Sequence, residues 1–147
     1  MIRAYQDTDL DDVVSIWYEA SKIAHSFISE ENLIVQRDAV INTYIPRAKM
    51  WVADKDGYIV GFIALLDNLI GGLFVSPKSQ SKGYGTQLIE YAKSIIKETL
   101  LVEVYQENHQ AQHFYKKCGF ILIDKRLDKS TNFLLLTMSL NINQTNK

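Results

Sequence analysis

The stretch QSKGYGTQLIEYAKSIIK, residues 80–97, opens with a glycine-containing loop and continues as an amphipathic helix pattern. Gly83 and Gly85 stand one residue apart where the helix should begin. A helix N-terminus offers unpaired N–H groups and the positive end of the helix dipole, and glycine lets a ligand approach the backbone closely. The stretch therefore predicts a loop that binds a phosphate or pyrophosphate on the first turn of a helix.

The segments around this stretch alternate between strand and helix patterns, in the order β-α-α-β-β-β-α-β-α-β-β. One strand–helix–strand unit, 69–106, lies among antiparallel neighbours, which predicts a mixed sheet. Two adjacent glycines in the strand 69–75 indicate a bulge or a close backbone approach. We expect one mixed α/β domain over residues 1–140, with a mostly antiparallel sheet of about seven strands and helices on both faces, followed by a polar tail over 141–147.

The composition narrows the class of partner. The 16 Lys and Arg residues against 17 Asp and Glu give a net charge of −1, so nucleic acid is disfavoured as the main partner, because proteins that follow its backbone carry a basic excess. Cys118 is the one cysteine, which rules out an internal disulfide and fits a reducing compartment. The N-terminus lacks the apolar segment of a signal peptide, and no apolar run is long enough to cross a bilayer. We therefore expect a cytoplasmic protein without a membrane partner.

Three kinds of phosphate-binding loop compete for the glycine segment. A P-loop requires two glycines five positions apart followed by Lys and Ser or Thr, and no such run occurs in the chain. A dinucleotide-binding fingerprint requires a third glycine, but Leu88 occupies that position. The third kind is Gln-x-x-Gly-x-Gly after a Val-x-Pro strand end. That pattern is complete here in Val75, Pro77, Gln80, Gly83 and Gly85.

A second segment supports the third assignment. ENHQAQHFYKKCGF, residues 107–120, has an Asn followed by an Ala, an aromatic–Tyr pair and a Gly-Phe. Together the two segments resemble the signatures of the GNAT acetyltransferase family, and the chain is most similar to its bacterial YiaC and YjaB branch. The order of strands and helices also fits the family fold, so the resemblance covers about the whole chain.

The resemblance implies acetyl-CoA as the cosubstrate and no metal ion. In the family, backbone amides of the loop hold the pyrophosphate, and the strand matching 69–75 separates from its parallel neighbour so that the pantetheine arm enters the gap. Asn108 could equally be a plain helix N-cap, and Lys82 a solvated surface lysine. The residues that would bind acetyl-CoA are Leu73, Phe74, Val75, Gln80, Ser81, Lys82, Gly83, Tyr84, Gly85, Thr86 and Asn108.

The resemblance also implies catalytic roles. Tyr115 would donate a proton to the leaving thiolate, although a tyrosine packed in the core fits the pattern too. Glu103 would accept the proton of the amine, directly or through a water, and the alternative is an acid on a solvated face. His25 and Phe27, between the first two helices, would contact the acceptor, and a hydrogen-bonded structural role is the alternative for His25.

The expected function is transfer of the acetyl group of acetyl-CoA to a primary amine by direct attack. A protein lysine or an N-terminal amine is the expected acceptor, and a small amine is the alternative. Two other classes stay open: a module that senses acyl-CoA without turnover, and a toxin-type acetyltransferase that acts on aminoacyl-tRNA. The near-neutral charge does not support the latter. Dimers are frequent in the family, so a homodimer is compatible with the sequence.

Overall fold

A computed structural model describes residues 1–142. Within them, seven strands form one sheet in the order β1-β2-β3-β4-β5-β7-β6, and α-helices cover both faces. β4 and β5 are parallel, and the other neighbouring strands are antiparallel. The strands are β1 (Ile2–Ala4), β2 (Lys49–Lys55), β3 (Tyr58–Leu66), β4 (Leu69–Val75), β5 (Thr99–Tyr105), β6 (Ile121–Asp128) and β7 (Phe133–Asn141). The helices are α1 (Leu10–Ala24), α2 (Glu30–Ala39), α3 (Tyr84–Ile95) and α4 (His109–Lys117).

Two apolar cores, one on each face of the sheet, hold the helices in place. On one face, α3 contributes the fully buried Leu88 and Ile89, which pack with Val102 of β5. On the other face, α1 contributes the fully buried Val13, which packs with Phe62 of β3. Burying an aliphatic side chain of this size stabilises the fold by about 1.5–3 kcal/mol, so these contacts fix the helices against the sheet.

The predicted mixed α/β fold is confirmed, with differences at the ends of elements. The pattern of MIRAYQ, residues 1–6, predicts a first strand, but β1 ends at Ala4 because a 3₁₀ turn, Asp7–Asp9, begins soon after it. α2 ends at Ala39 and is followed by a π turn and then by a 3₁₀ turn that contains Pro46, which cannot continue an α-helix. β7 continues through Asn141, and residues 143–147 of the expected tail lie outside the described part of the chain. No helix within residues 1–142 is long and apolar enough to cross a membrane.

A bulge in β4 divides the sheet. Ala64 of β3 pairs with Gly72 and Leu65 pairs with Ile70, so Gly71 is the extra residue, as the glycine pair in the sequence indicated. β4 and β5 pair at Leu69–Leu101 and Ile70–Val102, immediately before this bulge. A bulge bends its strand, and here the paired segment ends where the bulge begins. The C-terminal half of β4 therefore diverges from β5 and opens a gap in the sheet.

Candidate active site

A cleft of about 430 Å³ lies at this gap between β4 and β5. It is lined by the end of β4, the loop before α3, the first turn of α3, one side of α4 and the C-terminal end of α1. All the residues predicted to bind acetyl-CoA line it except the exposed Lys82. Tyr115 lines it as well, whereas Glu103, His25 and Phe27 do not.

The loop before α3 contains two residues with positive φ. Gly83 is the N-cap of α3 and has φ +88°, and the preceding Ser81 has φ +64°. A non-glycine residue in this left-handed region costs roughly 1–2 kcal/mol, which is a strain that binding loops can carry. A Cβ atom on Gly83 would meet nothing within 4 Å, whereas one on Gly85 would lie 3.2 Å from the ring of Phe114. The outer side of the loop is thus open to a ligand, and its inner side packs tightly on α4.

The edge of β4 that faces the gap offers backbone N–H groups. The N–H of Ser76 donates to the carbonyl of Val60 at 2.8 Å, which identifies the hydrogen-bonded pairs of the antiparallel β3–β4 ladder. Because such pairs alternate, the N–H of Phe74 is directed towards β3, and those of Leu73 and Val75 are directed away from it. Of the three predicted donors on this strand, Leu73 and Val75 are therefore the ones that face the gap.

Gln80 connects this strand edge to the loop. Its side-chain amide donates to the carbonyl oxygen of Val75 at 3.1 Å. That carbonyl lies on the gap side of β4 by the same alternation. The hydrogen bond fixes the loop relative to the strand end.

Asn108 joins α4 to the end of α1. Its side-chain oxygen accepts the N–H of Ala111 at 3.1 Å, so Asn108 is the N-cap of α4. Its side-chain nitrogen lies 3.3 Å from Nε2 of His25, the residue that ends α1. Burial lowers the pKa of His25 to about 4, so the imidazole is neutral near pH 7. Phe27 packs against the rings of both His25 and Tyr105 and does not reach the cleft.

Tyr115 is the buried tyrosine of the cleft. It is 5% exposed, and its ring packs edge-on against Phe114 and Phe120 at centroid distances of 5.2 and 5.3 Å. Burial raises the pKa of Tyr115 above its ordinary value, because the phenolate would be poorly solvated. The hydroxyl therefore stays protonated at neutral pH and can act as a donor in the cleft.

Glu103 lies outside the cleft in an ion pair. Its carboxylate oxygens accept two hydrogen bonds from the guanidinium of Arg126, at 2.9 and 3.1 Å. Arg126 belongs to the edge strand β6, two strands away, and its side chain reaches across β7. The two side chains are 30% and 54% exposed, so solvent screens the pair. A proton delivered to the Glu103 carboxylate would compete with Arg126 for the same lone pairs.

Several residues that line the cleft were not assigned to it from the sequence. Ala20 and Ala24, one turn apart on α1, leave room beside the gap, and Gln110, His113 and Lys117 lie on one face of α4. The spacing i, i+3, i+7 of the last three was a visible signal in the sequence. The approach of α1 to the cleft had no such signal in the sequence, because it depends on tertiary packing.

The cleft is distinct from a second hollow and from any metal site. A more open hollow of about 480 Å³ lies beside the β2–β3 turn, and Tyr84 is the one candidate residue among those that line it. Within residues 1–142, no group of three or more His, Cys, Asp or Glu side chains is placed to hold a metal ion. The cleft at the gap is therefore the candidate active site.

Comparisons with known proteins show which family the chain is similar to. A family model described as an acetyltransferase (GNAT) domain matches residues 46–122, which include β4, the loop and α4. The chain is 30% identical over 146 residues to the peptidyl-lysine N-acetyltransferase YiaC of Escherichia coli (strain K12), and the match covers 99% of each protein. It is 33% identical over 120 residues to the peptidyl-lysine N-acetyltransferase YjaB of the same organism, covering 81% of this chain and 80% of YjaB.

The fold is similar to that of a solved relative. The solution structure of apo-form YjaB from Escherichia coli matches with a TM-score of 0.84 and 30% sequence identity, over 95% of both chains. The crystal structure of a GCN5-related N-acetyltransferase from Rhodopseudomonas palustris matches with a TM-score of 0.82 at 19% identity, over 96% of this chain and 94% of that one. The resemblance recognised in the two sequence signatures is thereby confirmed.

Proposed function

The chain belongs to the GNAT family of acetyltransferases, and from this premise we propose that it transfers the acetyl group of acetyl-CoA to the side-chain amine of a protein lysine. One observation carries the proposal. The gap edge of β4, the loop ending at Gly83 and the hydroxyl-bearing Tyr115 all line a single cleft. These are the groups that a thioester, a pyrophosphate and a leaving thiolate respectively require.

The residues of the cleft fit acetyl-CoA part by part. The pyrophosphate would lie on the first turn of α3, where Gly83 leaves open space and the N–H groups of the helix point outward. The pantetheine arm would enter the gap between β4 and β5 as an added strand. The thioester oxygen would accept the N–H of Leu73 or Val75. A donor aimed at the developing oxyanion lowers the barrier by about 3 kcal/mol.

Tyr115 would serve the leaving group. When the tetrahedral intermediate collapses, the C–S bond breaks and the sulfur takes up the electron pair. Tyr115 would give its proton to this sulfur as the C–S bond breaks. Because a thiolate with a reference pKa near 8.5 is a weaker base than the phenolate of a tyrosine near 10, the phenolate would at once take back the proton that the acetylated amine releases. The raised pKa of Tyr115 keeps the proton available throughout the neutral range.

The attacking amine must lose a proton. A lysine with a reference pKa of about 10.4 is roughly 3.4 units from neutrality at pH 7, a cost of about 4.6 kcal/mol. We propose that Glu103 accepts this proton through water, since it does not line the cleft itself. Arg126 then sets how readily the carboxylate is available, because it occupies both oxygens.

The choice of acceptor rests on the relatives. YiaC and YjaB are both named peptidyl-lysine N-acetyltransferases, and the chain is 30% and 33% identical to them. A protein lysine is therefore the first acceptor to test.

Calorimetric titration with acetyl-CoA tests the site. We expect the native chain and Tyr115→Phe to bind, and Gly83→Trp to lose binding because the indole fills the open side of the loop. Gly57→Trp is a matched control: Gly57 has φ +91° and open space around it, but it lies in the β2–β3 turn and does not line the cleft. Equal affinity of Gly83→Trp and Gly57→Trp would show that the loop does not hold the ligand.

Release of coenzyme A in the presence of a lysine-containing peptide tests the reaction. We expect release by the native chain and strong loss in Tyr115→Phe. Binding of acetyl-CoA without release on any peptide or small amine would contradict acetyl transfer and favour a module that senses acyl-CoA.

A further inference from the structure

Asn108 is held from two sides at the edge of the cleft. Its oxygen is committed to the N–H of Ala111 at 3.1 Å, so its NH₂ group must point the other way. That NH₂ group lies 3.3 Å from Nε2 of His25. The opposite orientation of the carboxamide would set two donors against each other at the helix cap. Nε2 of His25 must therefore be the acceptor, and the proton of the neutral ring must be on Nδ1.

The imidazole of His25 is a fixed acceptor. Its ring packs edge-on against Phe27 and Tyr105, with centroid distances of 5.7 and 5.1 Å. Its backbone N–H donates to the carbonyl of Ser21 at 2.8 Å, which anchors it to the last turn of α1. The ring cannot turn without disrupting these contacts, so the position of Nε2 determines the direction of the carboxamide.

This arrangement leaves one hydrogen-bond donor and one acceptor on the side chain of Asn108. A carboxamide has two N–H groups and two oxygen lone pairs, and the contacts with His25 and Ala111 use one of each. One N–H and one lone pair are left, on a residue that lines the cleft. The pantetheine arm of acetyl-CoA carries secondary amides, each with one C=O and one N–H. The two sets are complementary.

We propose that His25 is a positioning residue whose Nε2 orients the carboxamide of Asn108 towards an amide of the pantetheine arm. The proposal rests on acetyl-CoA being the ligand of the cleft. It assigns His25 a role in binding the donor, where the sequence suggested contact with the acceptor. His25 lies behind Asn108, outside the lining of the cleft, and acts through it.

A double-mutant cycle with calorimetry tests the coupling. His25→Phe keeps an aromatic ring among its neighbours but removes the acceptor, and we expect it to weaken acetyl-CoA binding about three- to tenfold. In an Asn108→Ala background the same change should have no further effect. The adenosine bisphosphate half of coenzyme A, which lacks the pantetheine arm, should bind both His25 forms equally. An equal loss for both ligands, or an additive loss in the double variant, would overturn the proposal, and so would an unchanged affinity for acetyl-CoA in His25→Phe.

Nitrogen NMR of the imidazole gives a readout that does not depend on the ligand. At pH 7 we expect His25 to be neutral with its proton on Nδ1. A charged ring, or a proton on Nε2, would overturn this inference even if acetyl-CoA binds. A native chain with the expected tautomer but no affinity for acetyl-CoA would overturn the proposed function, and this inference with it.

Discussion

Acidifying the protein from pH 7 to pH 5 should lower its free energy of unfolding by roughly 2 kcal/mol through His25. Burial lowers the pKa of this imidazole from 6.5 to about 4 in the folded chain. In the unfolded chain the pKa returns to its ordinary value. Between these two values the unfolded state binds a proton that the folded state does not, so stability is lost as the pH falls.

The magnitude follows from proton linkage. At pH 5 an imidazole with a pKa of 6.5 is almost fully protonated, whereas one with a pKa near 4 is about one-tenth protonated. This difference in protonation lowers the free energy of unfolding by roughly 2 kcal/mol at pH 5 and by a few tenths of a kcal/mol at pH 7. With a urea m-value of about 2 kcal/mol per molar, the unfolding midpoint should shift by about 1 M.

Tyr105, which packs against this ring, and Asp128, which accepts the hydrogen bond of the Tyr105 hydroxyl, do not titrate in the interval. Burial and the hydrogen bond to Asp128 raise the pKa of Tyr105 to about 12. Burial alone would raise the pKa of Asp128, but hydrogen bonds from Ser130, Tyr105 and Thr131 outweigh it and hold that pKa below its ordinary value. Tyr105 is therefore protonated and Asp128 ionised at both pH values, so neither of them contributes to the change expected from His25.

Urea unfolding of the native chain and of His25→Phe at both pH values measures the effect. The loss in free energy of unfolding from pH 7 to pH 5 should be larger in the native chain than in the variant by roughly 2 kcal/mol. This comparison removes any general effect of acid on the other groups, and it removes the change in packing that the substitution itself causes. An equal loss of stability in both proteins would refute a neutral, desolvated His25.

Three further predictions test other parts of the structure. Tyr115→Phe should lower kcat about 100-fold while the calorimetric Kd for acetyl-CoA stays the same, and a weakened Kd with unchanged kcat would contradict a role in protonating the thiolate. Glu103→Gln should lower kcat at pH 7. Arg126→Gln should not lower it, because removing the guanidinium frees the Glu103 carboxylate. Equal rates in steady-state assays of Glu103→Gln and the native chain would exclude Glu103 as the base. Leu88→Ala, at a fully buried position under α3, should cost about 3–5 kcal/mol in urea unfolding, and a loss below about 1 kcal/mol would show that α3 is loosely packed.

The features that the sequence predicted well are local ones. Gly71 and Gly72 indicated a bulge, and Gly83 with Gly85 indicated the turn before α3, because each depends on backbone geometry over a few residues. Asn108 was recognised as both a helix cap and a cleft residue from one helical segment.

The partners that the sequence did not predict are distant along the chain. His25 and Asn108 are 83 positions apart and meet only because the end of α1 and the start of α4 lie beside the same gap. Arg126 reaches Glu103 because the strand order β5-β7-β6 departs from the order along the chain. Alternation within β5 placed Glu103 on one face of its strand, but it could not say which side chain would occupy its oxygens.

The bulge at Gly71 also divides the hydrogen-bonded sheet into two units joined along a short seam. β1–β4 form one unit and β5–β7 the other, and the strands on either side of the seam share the residue pairs Leu69–Leu101 and Ile70–Val102. Backbone amides beside a seam open more readily than those inside either unit, and deuterium uptake reports that opening. A pantetheine arm laid along the seam would act as the missing strand. Occupancy would then convert two units into one, and Leu73 and Val75 would be the amides at which that change is first observed.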